Sequence, residues 1–193
     1  SAYGILRLVT PACILEFRRL HPEIGFTYRE YPDREVERRF QKKDGNVAFS
    51  IGPFEKDLYE MTKLVSYPVR LLVHDSHPLA SRENVSIEDI KGERLFIESS
   101  EFKIHHLILD KCQKAGFVPD IAFETSGFSL CHKMCREKRG ISVTVDFMSE
   151  DMSMEHLVSI PFSGEGYEWT AYMLTRKGEP LTAEMYLFRR HVD

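Results

Sequence analysis

A chain of 193 residues, 42% hydrophobic and 29% charged, reads as an ordinary soluble globular protein with room for one sizeable domain or two small lobes. A net charge of −4 and a pI near 6.1 speak against a nucleic-acid-binding surface on these residues, because such surfaces show as clustered Lys and Arg with a basic pI. No apolar run approaches the roughly 18–20 residues that span a bilayer, and no signal peptide opens the sequence. Four cysteines without a CxxC pair (Cys13, Cys112, Cys131 and Cys135) read as free thiols in a cytosolic setting.

The predicted elements alternate. Ile5, Leu8, Val9, Ala12, Leu15 and Phe17 recur at helical spacing up to Leu20, with an irregular first turn or a kink expected at Pro11 and a stop at His21-Pro22. Ile24–Tyr28 alternates like a strand. Glu35–Phe40 reads as a short charged helix, so the interrupted basic run Arg38–Lys43 is a solvated helix end; Asp44-Gly45 is a turn, and Val47–Ile51 an apolar strand. Leu58–Val65 and Val69–His74 read as two strands. Ser86 caps a short helix to Ile90, and Leu95–Glu98 is a strand. Lys103–Ala115 is an amphipathic helix closed by Gly116. Ile121–Glu124 (strand), Phe128–Lys138 (helix), Gly140–Val145, His156–Ile160 and Trp169–Thr175 (strands) follow, and Thr182 caps a last helix to Val192. Such alternation predicts βαβ units and largely parallel sheets.

Chemistry-bearing motifs are sparse. No G-x-S-x-G elbow and no glycine-rich phosphate loop occurs, so an enzyme is not the expected class. Eight histidines invite a metal reading. His105 and His106 are adjacent and diverge on a helix, and Cys131, His132 and Cys135 lack a second ligand pair. Buried thiols are the expected role there, and neither a metal nor a cofactor is expected.

Several segments, in order, resemble the effector-binding domain of LysR-type transcriptional regulators. LEFRRLHPEIGFTYREY resembles the family's opening helix and strand, and NVAFSIGP its next strand. YPVRLLVHDSHPLASRENVSIEDIKGERLFIE resembles its most recognisable stretch, with His77-Pro78-Leu79-Ala80 at the centre. AGFVPDIAFET and CREKRGISVTVDF continue the match, although the second glycine of the usual "G-x-G" is replaced around Lys138-Arg139-Gly140 and Asp146-Phe147 stands for a Leu-Pro. The family's first lobe opens with a strand, whereas this sequence begins at the first helix.

The resemblance implies an α/β protein of two Rossmann-like lobes in a type II periplasmic-binding-protein-like fold. Lobe I would comprise residues 1–72 and 162–193, and lobe II residues 73–161. It further implies a cytoplasmic bacterial regulator in which DNA is bound through an upstream winged helix-turn-helix domain. Its partners would be a small-molecule effector and further copies of itself, as a homodimer or homotetramer without membrane contact. Pairing through the first lobe would bury Ile5, Leu8 and Val9. The alternative is a transporter's solute-binding protein, which shares the fold.

In a receptor of this kind the ligand meets loops at strand C-termini and N–H groups at helix N-termini, which favour an anionic group such as a carboxylate. The loops beginning at Ser1 and Ser50 fit that geometry, as do Ser99, Ser100 and Phe102 and the loop Thr125, Ser126 and Phe128. The phenylalanines would form an apolar wall, and Glu101 would oppose an anion, leaving a cationic or neutral effector open. Each hydroxyl also suits a helix cap.

Overall fold

The computed structural model describes residues 1–55, 57–148 and 152–192. The run expected to have an irregular first turn or a kink is two elements, a 3₁₀ turn at Ile5–Arg7 and helix α1 (Pro11–Leu20). Thr10 separates them as N-cap, its Oγ1 accepting from the Cys13 N–H at 3.2 Å. Pro11 takes the first helical position, where its missing N–H is no loss and its fixed φ suits the helix. It starts α1, and of the two expected outcomes the irregular first turn is the one found.

Residues 24–28 are irregular, not a strand. Alternation alone does not make a strand without a ladder partner. The extended pairing comes just after them, where Tyr31 bridges Ala2 in parallel and the Ala2 N–H reaches the Phe49 carbonyl at 2.7 Å. The strand position ahead of the first helical turn is thus held by Ser1–Tyr3.

Helix α2 (Asp33–Gln41) is followed by β1 (Ala48–Ile51), which pairs antiparallel with β7 (Glu168–Arg176) from Ala48↔Leu174 to Ile51↔Ala171. An aromatic cluster fills the core beneath them. Phe17 meets Phe188 edge-on, with ring centroids 5.0 Å apart, and Phe188 comes from the last helix, α5 (Ala183–Val192). The Thr182 hydroxyl accepts from the Met185 N–H at 3.3 Å, as its cap role requires.

The two strands expected on either side of Ser66–Pro68 are one, β2 (Tyr59–His74). Pro68 donates nothing, but its carbonyl accepts from the Asp146 N–H at 3.1 Å, so the ladder runs past it. β2 pairs antiparallel with both β5 (Ile141–Val145) and β6 (Leu157–Pro161). β3 (Arg94–Glu98) then pairs in parallel with β5 and with β4 (Asp120–Thr125). Helix α3 (Lys103–Lys114) links β3 to β4, and α4 (Phe128–Arg136) links β4 to β5. Sheets expected to be largely parallel are therefore mixed: parallel where a helix crosses over, antiparallel along β2 and at β1–β7.

Two compact units result, Ser1–Val65 with Thr170–Asp193, and Ser66–Trp169. Asp193, the last residue assigned to lobe I, lies outside the described residues. The sequence placed the divisions after Leu72 and before Phe162; in the structure they fall inside β2 and β7. The second unit is cored by Leu71, Leu72, Leu95, Ile97, Ile108, Ile141 and Ile160, all at most 1% exposed.

The turn before β5 holds Lys138-Arg139-Gly140, around which the departure from the usual glycine pattern was expected. Gly140 is retained, and Lys138 occupies a left-handed conformation at φ 57° where a glycine would sit without strain. Lys138→Gly is therefore expected to raise stability by roughly 0.5–1 kcal/mol, the relief of the left-handed strain less the entropy cost of glycine. A urea-unfolding midpoint at or below the parent's would remove this account of the turn.

Candidate functional site

The eight residues expected at a ligand site divide between the units. Ser1 and Ser50 lie in the first. The Ser1 amino group donates to the Arg29 carbonyl at 2.8 Å, and its hydroxyl to the Ala2 carbonyl at 3.1 Å. Ser50 is fully buried on β1 and donates to the Asp33 carbonyl at 3.4 Å, tying β1 to the start of α2. Both hydroxyls are engaged within the fold.

The other six lie in the second unit, and the parallel register Glu98↔Thr125 sets the C-terminal ends of β3 and β4 side by side. The Ser99 N–H donates to the Thr125 carbonyl at 2.7 Å, so the two hydroxyl-bearing loops leave the sheet from one bonded pair. Ser100 and Ser126 are exposed, while Ser99, Thr125 and Phe128 are half-buried. Phe102 is buried, and its N–H closes a turn onto the Ser99 carbonyl at 2.9 Å.

The N-cap residues of α3 and α4 are Phe102 and Gly127, and neither supplies a side-chain capping bond. None of the four hydroxyls is therefore an N-cap residue. Both helices begin directly behind the strand ends, with the partial positive charge that favours an anion there.

Sequence reasoning missed the polar layer under these loops. Glu98, the last residue of β3, is 4% exposed, and its carbonyl accepts from His105 Nδ1 at 2.8 Å. On α4, Cys131 and Cys135 are buried. Burial pushes both thiols up to about 12, so they are neutral and are poor metal ligands or nucleophiles. His132 between them is 2% exposed; its Nε2 pairs with Thr144 Oγ1 at 3.0 Å, and its Nδ1 has no hydrogen-bond partner among the described residues. Burial, with Arg136 nearby, lowers its pKa to about 4. The signal was present in LFIE, an apolar strand ending on a carboxylate, and in the Cys-His pair of an amphipathic helix.

Among the described residues, two of the cavities within the units bear on the site, and neither of these gathers the hydroxyls. One of about 640 Å³ in the first unit is floored by Phe17, Phe49 and Phe188 and touches Ser1 alone of the eight. One of about 470 Å³ in the second lies by His74, His77, Arg94 and Lys138. His77 has a local task, its Nδ1 accepting from the Leu79 N–H at 3.2 Å to cap the turn Pro78–Ser81.

Compared with protein families, residues 4–193 match the LysR substrate binding domain. The chain belongs to that family. Among curated relatives, the uncharacterized HTH-type transcriptional regulator YwbI of Bacillus subtilis is 24% identical over 172 residues, covering 89% of this chain and 57% of the relative. The chain thus spans a little over half the length of such relatives. Among solved structures, the Synechocystis PCC6803 CcmR regulatory domain in complex with 2-PG superposes with a TM-score of 0.86 at 14% identity, covering 99% of this chain and 92% of that one. The effector binding domain of QuiR in complex with shikimate gives 0.82 at 14%, covering 99% and 91%. Likeness at such low identity establishes the fold of this LysR-family domain, that of effector-binding domains.

Proposed function

We propose that the chain is the effector-sensing regulatory domain of a LysR-type transcriptional regulator, a binding module rather than an enzyme. Its two units are the regulatory lobes I and II of a cytoplasmic DNA-binding protein. The effector is a small molecule bearing a carboxylate. The observation that carries this reading is the bonded pair Ser99–Thr125, which sets two hydroxyl loops and the starts of α3 and α4 at one end of the β3–β4 pair. Shikimate on a structural neighbour has the same anionic character. Ser99, Ser100, Thr125 and Ser126 then supply hydrogen bonds, with Phe102 and Phe128 as the apolar wall. Relatives that are themselves transcriptional regulators favour this over a transporter's solute-binding protein.

The ligand acts on transcription by its differential affinity for two arrangements of the oligomer, a homodimer or homotetramer. Ile5 and Val9, expected at the pairing surface, are 0% and 2% exposed in the single chain and so are spent on its own core. Leu15 and Leu20 of α1, 63% and 49% exposed, are the apolar side chains left for a partner copy.

The test is a calorimetric screen of small carboxylates, shikimate among them. Ser100→Ala and Thr125→Ala are each expected to remove one hydrogen bond of about 0.5–1.5 kcal/mol, weakening the best ligand roughly two- to twelvefold. The thermal midpoint should hardly move. Lowered midpoints with unchanged affinity in both variants would sink this placement of the site. A net charge of −4 on these residues also predicts no tight, salt-sensitive DNA binding by this fragment in a mobility-shift assay.

A further inference from the structure

We propose that His74, Asp75 and His156, in the second unit, form a site for a divalent cation of the zinc class, separate from the effector loops. The pairing of β2 with β6 creates it. The register His74↔Leu157 ends the ladder, and beyond it the Asp75 N–H bonds to the His156 carbonyl at 3.0 Å. Residues 81 apart in sequence thereby share one corner of the unit.

The donor atoms converge. Asp75 Oδ1 lies 2.8 Å from His74 Nδ1, and Oδ2 lies 3.0 Å from His156 Nδ1. One ligand atom from each residue falls within 4.8 Å of the others. A tetrahedral ion with bonds of roughly 2.0–2.1 Å needs ligand atoms about 3.3 Å apart, so small side-chain rotations suffice. Two imidazoles and one carboxylate suit zinc and its neighbours, and three protein ligands leave a fourth position for water.

The backbone N–H of Ser76 points at His74 Nδ1 from 3.0 Å, and a backbone N–H can only donate. The lone pair of that nitrogen is then engaged by Ser76, so a cation seated there would take the place of this bond, and a carboxylate oxygen faces the same nitrogen at 2.8 Å. Lone pair against anion is repulsive unless a positive charge lies beside them. His156 is held at φ 59°, a conformation costly for a residue with a Cβ, and its ring lies parallel to that of His74 at 5.8 Å. A shared proton on His156 is the competing way to supply the charge, and experiment separates the two.

Tag-free protein of the full 193 residues, stripped with chelator, is titrated with zinc chloride by calorimetry and with cobalt chloride by visible absorption. The expected result is one equivalent bound, a cobalt spectrum of nitrogen and oxygen ligands without a thiolate band, and a thermal midpoint that rises with zinc. His156→Ala and Asp75→Asn alter exposed side chains and should leave the metal-free midpoint nearly unchanged. Each should weaken zinc by at least about tenfold, since even losses behind the direct ligands typically cost that much. No zinc binding by the parent, equal affinity in either variant, or a thiolate band would overturn the site.

Discussion

Replacing Gly140 by Ala is expected to destabilise the chain by about 3 kcal/mol or more, the largest effect of any single methyl group considered. Gly140 directly precedes β5, where β5 runs beside β3 in the register Leu95↔Ile141. A Cβ there would meet the Arg94 carbonyl oxygen and would come within 2.9 Å of the Phe96 ring. The first obstacle is backbone at the start of a central strand and cannot rotate away. Relief requires β3 and β5 to separate, which strains the parallel pairing on which α3 and α4 are hung. For a chain of this size the loss corresponds to a fall of roughly 6–12 °C in thermal midpoint. Gly116→Ala is the comparison: its φ of 79° is strained for alanine, but open space surrounds the added carbon, so about 1–2 kcal/mol is expected. Equal urea midpoints for the two variants would show that close approach at Gly140 is not what excludes a side chain.

The second large effect is on pH. His132 has an ordinary pKa near 6.5 when unfolded and about 4 when folded, because burial disfavours its charged form and Arg136 adds to this. The native state thus refuses a proton that the unfolded state accepts. Stability from this group is fully present above about pH 6.5 and is lost as pH falls towards 4, on the order of 3 kcal/mol in all. Urea unfolding at intervals between pH 7 and 4.5 measures it. His132→Gln, which keeps a polar atom near Thr144 and cannot titrate, should show a shallower slope. If parent and variant lose stability in parallel, His132 is not the group responsible.

Much of the second unit was legible because its signals are local. Leu95–Glu98, Lys103–Ala115 and Ile121–Glu124 lie within a residue or so of the observed elements, each read from its own periodicity. What failed depended on partners distant in sequence. Residues 24–28 alternate correctly yet find no ladder, and β2 passes Pro68 because a carbonyl sufficed there. The candidate site shows the same division. Strand-to-helix loops carrying Ser99, Ser100, Thr125 and Ser126 are visible as hydroxyl runs after apolar strands, whereas the burial of Ser50 is decided by α2 packing across it. The proximity of Asp75 to His156 follows from strand register alone and has no trace in local pattern.

The buried thiols have a practical corollary. Cys112 stands at about 11, Cys131 and Cys135 at about 12, and the half-buried Cys13 is also raised. At neutral pH almost no thiolate exists at any of them, and alkylating reagents attack thiolates. Val118, 91% exposed between α3 and β4, precedes β4 and so lies at the end of that strand opposite the hydroxyl loops. A fluorophore coupled through Val118→Cys would outrun the native cysteines, so the chain can be labelled in the second unit, away from its candidate ligand loops, without first being stripped of sulfur.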